Sequence, residues 1–85
     1  MASYKLLIKP SAVKELEGLP PKERRHVAAK VRKLATDPRP SGSEKLSGHQ
    51  LYRVRQGDYR ILYAIEDASL SLIVFKIGHR RDVYR

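Results

Sequence analysis

A two-residue turn between two alternating segments most constrains how this 85-residue chain can fold. Leu51–Gln56 and Tyr59–Ile65 flank the dipeptide Gly57-Asp58. Glycine at the first position of a two-residue loop favours a type II′ turn, whose twist matches that of paired strands. Such a turn fixes the register of a β-hairpin, and it predicts that Arg55 lies directly opposite Arg60.

The same register sorts the hairpin side chains into an apolar face and a cationic face. Successive residues of a strand point to opposite sides of a sheet. One side carries residues suited to a core: Tyr52, Val54, Ile61 and Tyr63. The other side carries three arginines: Arg53, Arg55 and Arg60. The hairpin is therefore predicted to cover a core with one face and to present guanidinium groups on the other.

The pairing of Arg55 with Arg60 suggests an anion-binding site. Like charges directly opposite each other destabilise a sheet by roughly 0.2–1 kcal/mol. An anion between the two guanidinium groups would remove this repulsion, and arginine binds phosphate oxygens through paired hydrogen bonds. Two alternatives stay open: both side chains extend into water, or a carboxylate neutralises them. The carboxylates in question are Asp58, Glu66 and Asp82.

Two helices are predicted in the first half of the chain, after a short strand at Tyr4–Ile8. Ser11 can cap the first helix, and Pro21 suits the first position of the second helix. Gly18 and Pro20 interrupt the pattern between them. Apolar residues recur at helical spacing in both segments: Val13, Leu16 and Leu19, then Val27, Ala28, Val31, Leu34 and Ala35.

A Pro- and Gly-rich connector, Asp37–Ser43, separates these helices from the hairpin and from a last apolar strand, Leu70–Ile77. This order predicts an α+β fold, in which a two-helix N-terminal hairpin packs on one face of a small, mainly antiparallel four-stranded sheet. The length and the absence of repeats predict one domain over residues 1–85. The second face of the sheet stays available for function.

A cationic segment, Gly78–Arg85, follows the last apolar strand directly. It combines guanidinium groups with His79, which titrates near neutral pH, and with the phenol of Tyr84. Because the segment leaves a strand beside the hairpin, we expect His79, Arg80 and Tyr84 to converge on the arginine face. This mixture of side chains suits a phosphate ester.

Composition indicates the class of partner. The formal net charge is +9, from 18 Lys and Arg against 9 Asp and Glu, which favours nucleic acid or an acidic protein. The three histidines have no carboxylate at metal-ligand spacing, so we expect neither a zinc site nor another cofactor. The absence of cysteine and of an apolar run of about 18 residues leads us to expect a soluble, cytoplasmic protein without membrane association.

Over almost its whole length the chain resembles the RelE family of bacterial toxin–antitoxin ribonucleases. The order of the elements carries this resemblance, together with four stretches: Lys45–Gly48, Tyr52–Arg55, Tyr59–Tyr63 and Ile77–Tyr84. Members of that family enter the ribosomal A site and cut messenger RNA without a metal ion, by attack of a ribose 2′-hydroxyl on the adjacent phosphate. The resemblance implies a RelE-like toxin domain, ribosome and messenger RNA as partners, and an acidic RelB-like antitoxin.

The resemblance also implies roles for individual residues. Arg60 and Arg80 fall at phosphate-binding arginines of the family, and Tyr84 falls at a C-terminal tyrosine that stacks on the nucleotide and orients it. Arg53 and Arg55 fall on a basic, substrate-binding patch where the best-known relatives carry lysines.

The arginines at these two positions leave the general base open. Arginine keeps its proton at any ordinary pH, so it can stabilise a charged phosphorane but cannot accept a proton. Proton transfer would then fall to Tyr84, to His79 or to ribosomal RNA.

Two other functions fit the sequence. A ParE-like toxin of the same fold inhibits DNA gyrase through protein contact, and a basic protein of this shape could bind RNA without cutting it. Joint retention of the arginines and the C-terminal tyrosine favours the ribonuclease, since ParE-like chains generally lack the full set.

Overall fold

The computed structural model describes residues 3–46 and 50–79. Two helices and five strands follow one another along the chain: β1 (Lys5–Ile8), α1 (Pro10–Glu17), α2 (Pro21–Leu34), β2 (Glu44–Lys45), β3 (Leu51–Gln56), β4 (Tyr59–Glu66) and β5 (Ser71–His79). The strands form one sheet in the order β1-β5-β4-β3-β2, in which β1 pairs with β5 in parallel and the other neighbours are antiparallel.

This architecture confirms the predicted α+β class, with two N-terminal helices on one face of a mainly antiparallel sheet. The number of strands differs, because four were predicted and five are present. The additional strand is β2, whose two residues pair with Arg53 and Tyr52 of β3. A segment of two residues is too short to show alternation, so the pairing arises from the position of the connector beside β3.

The core lies between the helices and the sheet. Val27, Val31 and Leu34 of α2 are buried against the apolar hairpin face, where Ile61 and Tyr63 have no exposed surface. Helix α1 begins at Pro10, one residue before the predicted cap. Its buried residue is Ala12, whereas Val13, one of the apolar residues at helical spacing, is 36% exposed. The short α1 thus packs close to the sheet through a small side chain.

A bulge in β5 decides which of its last residues face the core. Tyr63 lies opposite Val74, but Leu62 lies opposite Lys76, so β5 has one extra residue between these pairs. Val74 and Ile77 are consequently both buried. Gly78 then lies opposite Arg60, on the arginine face. Uninterrupted alternation would have turned Lys76 into the core.

Helix α1 protects the part of β5 that extends past β1. The pairing of β1 with β5 ends at Ile8 and Val74. Beyond that point the Glu15 carboxylate accepts a hydrogen bond from the backbone N–H of Ile77 at 3.0 Å and pairs with the Lys76 ammonium at 2.8 Å. The Glu15 side chain therefore occupies a backbone N–H at an edge of β5 that could otherwise pair with another chain.

Polar contacts fasten the connector to the sheet. The Arg39 guanidinium pairs with Asp67 at 2.9 Å, and its Nε donates to the Tyr52 hydroxyl at 3.2 Å. Arg39 and the Tyr4 hydroxyl, which donates to Asp67 at 2.6 Å, hold the pKa of the Asp67 carboxyl below its usual range. The Tyr63 hydroxyl donates to the Pro38 carbonyl at 2.8 Å, and burial raises the pKa of Tyr63 to about 12. These bonds fix the path of the chain toward Ser41 and Gly42.

Among the residues described, no helix is both long enough and apolar enough to span a membrane.

Candidate anion-binding site

The hairpin has the predicted register. Gly57 has a φ of 61° and the following Asp58 does not have a positive φ, as a type II′ turn requires. Gln56 pairs with Tyr59, and Arg55 lies directly opposite Arg60. The two guanidinium side chains therefore leave the sheet side by side, on the face away from the helices.

The arginines line a cavity of about 300 Å³, which we call the arginine cavity. Its floor is the β3–β4 hairpin and its opposite wall is the connector; the lining residues are Ser41, Gly42, Glu44, Arg53, Val54, Arg55 and Arg60. Gly42 has a φ of 92°, a backbone conformation that side chains disfavour. The turn at Gly42 gives the cavity its second wall, so the arginines line a concave site instead of a flat surface.

Each arginine is held differently. The Arg53 side chain is only 12% exposed, and its Nη2 pairs with Glu44 Oε1 at 3.0 Å. Arg55 is exposed, and its Nε donates to the Gly57 carbonyl at 3.0 Å. Arg60 is half-buried, with its Nη1 atom shielded from solvent. Arg53 and Arg60 are therefore partly desolvated, which strengthens their attraction for an anion, whereas Arg55 is exposed and is oriented by its hydrogen bond to Gly57.

Glu44 is a site residue that sequence reasoning missed. It directly follows the connector, where no periodic pattern predicts the direction of a side chain. Its neighbours in sequence form no motif that would indicate a function. Its pairing with β3 brings the carboxylate into the arginine cavity. The only available signal was a lone acidic residue between a glycine-rich turn and a strand of alternating arginines.

His79 lies on the other face of the sheet from the arginines. It pairs with Tyr59, and the two rings meet edge to face with centroids 5.8 Å apart. Tyr59 packs against the core, on the helix side. The expectation that His79 converges with Arg55 and Arg60 therefore differs from the observed placement, because the bulge in β5 assigns the arginine face to Gly78.

Arg80 and Tyr84, the other two candidate catalytic residues, lie outside the described residues, as does Asp82. Gly78, opposite Arg60, is the last described residue on the arginine face.

Of the two described carboxylates proposed to neutralise the arginines, Glu66 lies at the far end of β4, opposite Ser71. Asp58 lies in the hairpin turn and does not line the cavity. The carboxylate that does so is Glu44.

Within residues 3–46 and 50–79, no group of three or more histidine, aspartate or glutamate side chains could hold a metal ion. The described residues bring guanidinium groups, the Glu44 carboxylate and Ser41 to the arginine cavity. Such a set can bind a phosphate, stabilise additional negative charge on it, and accept a proton.

Residues 6–84 match a family model described as the ParE toxin of type II toxin–antitoxin systems, parDE. A curated relative, Toxin RelG of Mycobacterium tuberculosis, is 38% identical over 34 residues. That segment is 40% of this chain, and it covers 39% of the length of RelG.

Several solved structures share the fold over nearly the whole chain. The toxin–antitoxin complex RelBE2 of Mycobacterium tuberculosis has a TM-score of 0.83 at 26% identity, covering 96% of this chain and 97% of that chain. The archaeal RelE–RelB complex of Pyrococcus horikoshii has a TM-score of 0.83 at 29% identity, covering 94% and 98%. The isolated RelE toxin of E. coli has a TM-score of 0.79 at 26% identity, covering 96% and 92%.

Proposed function

The chain belongs to the ParE toxin family of type II toxin–antitoxin systems, within the RelE/ParE superfamily; from this premise we propose that it is a ribosome-dependent endoribonuclease that cuts messenger RNA in the ribosomal A site. The observation that supports the proposal most strongly is the arginine cavity. Arg53, Arg55 and Arg60 line one concave site beside the end of β5. A phosphodiester is an anion that such a site can bind and polarise.

Membership of the family does not by itself choose between RNA cleavage and gyrase inhibition. An inhibitor that acts by protein contact has no need of two arginines placed directly opposite each other, an arrangement that destabilises the sheet. A nuclease benefits from it, because the pentacoordinate phosphorane carries more negative charge than the starting phosphodiester. The cavity therefore favours the ribonuclease, and the gyrase inhibitor remains the second candidate because the family model is that of ParE.

In the proposed reaction the ribose 2′-oxygen forms a bond to the adjacent phosphorus, and the bond from phosphorus to the 5′-oxygen breaks. The 2′-hydroxyl proton passes to a base, and the departing 5′-oxygen receives a proton. Arg60 and Arg55 stabilise the charge on the phosphorane, and Arg53 supports RNA binding. Arg80 adds a further phosphate-binding guanidinium, and Tyr84 orients the nucleotide.

We propose Glu44 as the proton acceptor alongside Tyr84. Its carboxylate lines the arginine cavity, where it can accept the proton that an arginine cannot. Its ion pair with Arg53 holds it at the wall of the cavity. His79 is the weaker candidate on geometric grounds, since its ring contacts Tyr59 on the helix side.

An acidic, RelB-like antitoxin is the proposed protein partner, and the cytoplasm, where ribosomes and messages occur, is the proposed location. The net charge of +9 attracts an acidic chain. Support also comes from relatives of the same fold, which were solved as complexes of RelE with RelB.

The direct test is cleavage of a programmed message by purified protein on ribosomes. The wild-type chain is expected to cut within the A-site codon, and Arg60→Ala to lower the single-turnover rate about 10²–10³-fold through loss of charge stabilisation. Arg25→Ala, on the exposed surface of α2, is the control and is expected to cut normally. Absence of cleavage by the wild-type chain, or a normal rate for Arg60→Ala, would refute the proposal.

A further inference from the structure

Two further grooves lie along α2; the first adjoins the arginine cavity, and the second adjoins the first. The first has a volume of about 410 Å³ and shares Ser41 with the cavity, and its opposite wall includes Lys30 and Lys33. The second, of about 220 Å³, shares these two lysines and continues to His26 and Gln56. The three depressions thus share lining residues from one to the next, and cationic side chains occur along the whole route.

Two lysines and a histidine of α2 lie in one row. His26, Lys30 and Lys33 are four and three residues apart, the spacing that places side chains on one face of a helix. With a rise of 1.5 Å per residue, the row is about 10 Å long. A stacked nucleic acid strand carries one phosphate about every 3.4 Å, so the row matches roughly three phosphates.

The two lysines are not neutralised within the described part of the chain. No described hydrogen bond or ion pair involves the side-chain ammonium of Lys30 or Lys33, and Asp37 is the carboxylate that lines the same groove. By contrast, Arg53, Arg39 and Lys76 each pair with a carboxylate. The lysines on α2 are therefore available to an external polyanion.

We propose that the row His26–Lys30–Lys33, which we call the α2 track, binds the backbone of the single-stranded RNA whose scissile phosphate occupies the arginine cavity. The identity of the cavity's ligand rests on the proposed function. The track itself is a separate backbone-binding site, and it extends the contact with the strand beyond the scissile nucleotide.

An RNA strand fits the track better than a protein partner does. An amphipathic helix needs an apolar groove, whereas two lysines line this groove and place positive charge along its wall. Phosphate recognition needs only cations at suitable spacing, without base-specific contacts. The track is therefore expected to bind without sequence preference and to depend strongly on salt.

The test compares two double variants of α2 that remove the same charge. Lys30→Gln/Lys33→Gln changes the track, whereas Arg25→Gln/Arg32→Gln changes two exposed residues on another face of the helix. Glutamine retains good helix propensity, and circular dichroism checks that both variants are folded. The probes are a fluorescent, non-cleavable 2′-O-methyl decanucleotide and the matching trinucleotide, titrated against each protein over a range of salt concentrations.

We expect Lys30→Gln/Lys33→Gln to weaken decanucleotide binding about tenfold and to reduce the slope of log K against log salt by about 1.4, which is two phosphate contacts on a single strand. Trinucleotide binding is expected to be unchanged, because that probe fills only the cavity. The arginine pair is expected to show less than half of either effect.

Three results would contradict the proposed role of the α2 track. They are an equal loss of affinity in the two double variants, an equal loss of affinity for the two probes, and no decanucleotide binding by the wild-type chain. A loss confined to an acidic helical peptide, with decanucleotide binding intact, would also overturn it and assign the surface to a protein partner. Intact messages in the ribosome assay, combined with the expected binding pattern, would refute the nuclease and leave the track standing.

Discussion

Arg60 shows how one residue can combine several constraints of this site. It lies opposite Arg55 on one side and opposite Gly78 on the other, and its guanidinium is partly shielded from water. Glycine at position 78 contributes no side chain to the arginine face opposite Arg60. A partly desolvated cation attracts a phosphate more strongly than one in bulk water. Local geometry, rather than the overall excess of positive charge, therefore distinguishes Arg60 from the many other cations of the chain.

A prediction at this scale concerns Glu44. Glu44→Gln removes a proton acceptor and also removes a negative charge from a cationic cavity. We expect single-turnover cleavage on ribosomes to slow about 10²-fold or more, while affinity for a non-cleavable message stays the same or increases. Glu66→Gln, at the far end of β4, is the matched control and should leave both quantities unchanged.

The opposite pattern would assign Glu44 a different role. If Glu44→Gln weakened binding but left the cleavage step unaffected, the carboxylate would serve only to orient Arg53. Tyr84→Phe and His79→Gln, measured in the same assay, then identify which other group accepts the proton.

At the scale of elements, the β3–β4 hairpin was predictable and its surroundings were not. Gly57 in a two-residue loop fixes the register locally, so the positions of Arg53, Arg55 and Arg60 followed from the sequence. The bulge in β5 depends on how that strand pairs with β4, and an apolar run of eight residues gives no local sign of it. That bulge determines the face of His79, which is why its placement differed from expectation. Glu44 was missed for a related reason, since a two-residue strand is specified by its partner.

The connector provides a prediction of pH dependence at this scale. Asp67, held by Arg39 and Tyr4, has a folded-state pKa below its usual value. Its contribution to the free energy of unfolding is therefore fully present above about pH 4, and it is lost as the pH falls through the lowered pKa. Asp67→Asn should lower the Tm modestly at about pH 7, because the ion pair is exposed. The difference from wild type should shrink as the pH falls below about 4, through the lowered pKa of Asp67.

Thermal unfolding followed by circular dichroism measures both values. Asp58→Asn, in the exposed hairpin turn, is the control. A difference between Asp67→Asn and wild type that stays constant or grows in acid would contradict the assigned contacts of Asp67.

At the scale of the whole molecule, the two faces of the sheet have separate tasks. One face binds the helices and holds the apolar core, and the other presents the arginine cavity. The net charge of +9 favours association with a nucleic acid or an acidic protein. Membership of the toxin family is consistent with this division, since a small domain can keep its core while the free face acquires different partners.

Mapping of 5′ ends on cellular messengers after induced expression tests the central claim most directly. We predict new 5′ ends inside translated codons for the wild-type chain, and none for Arg60→Ala expressed at the same level. Intact messengers together with arrested DNA replication would contradict the account and identify the chain as a gyrase inhibitor.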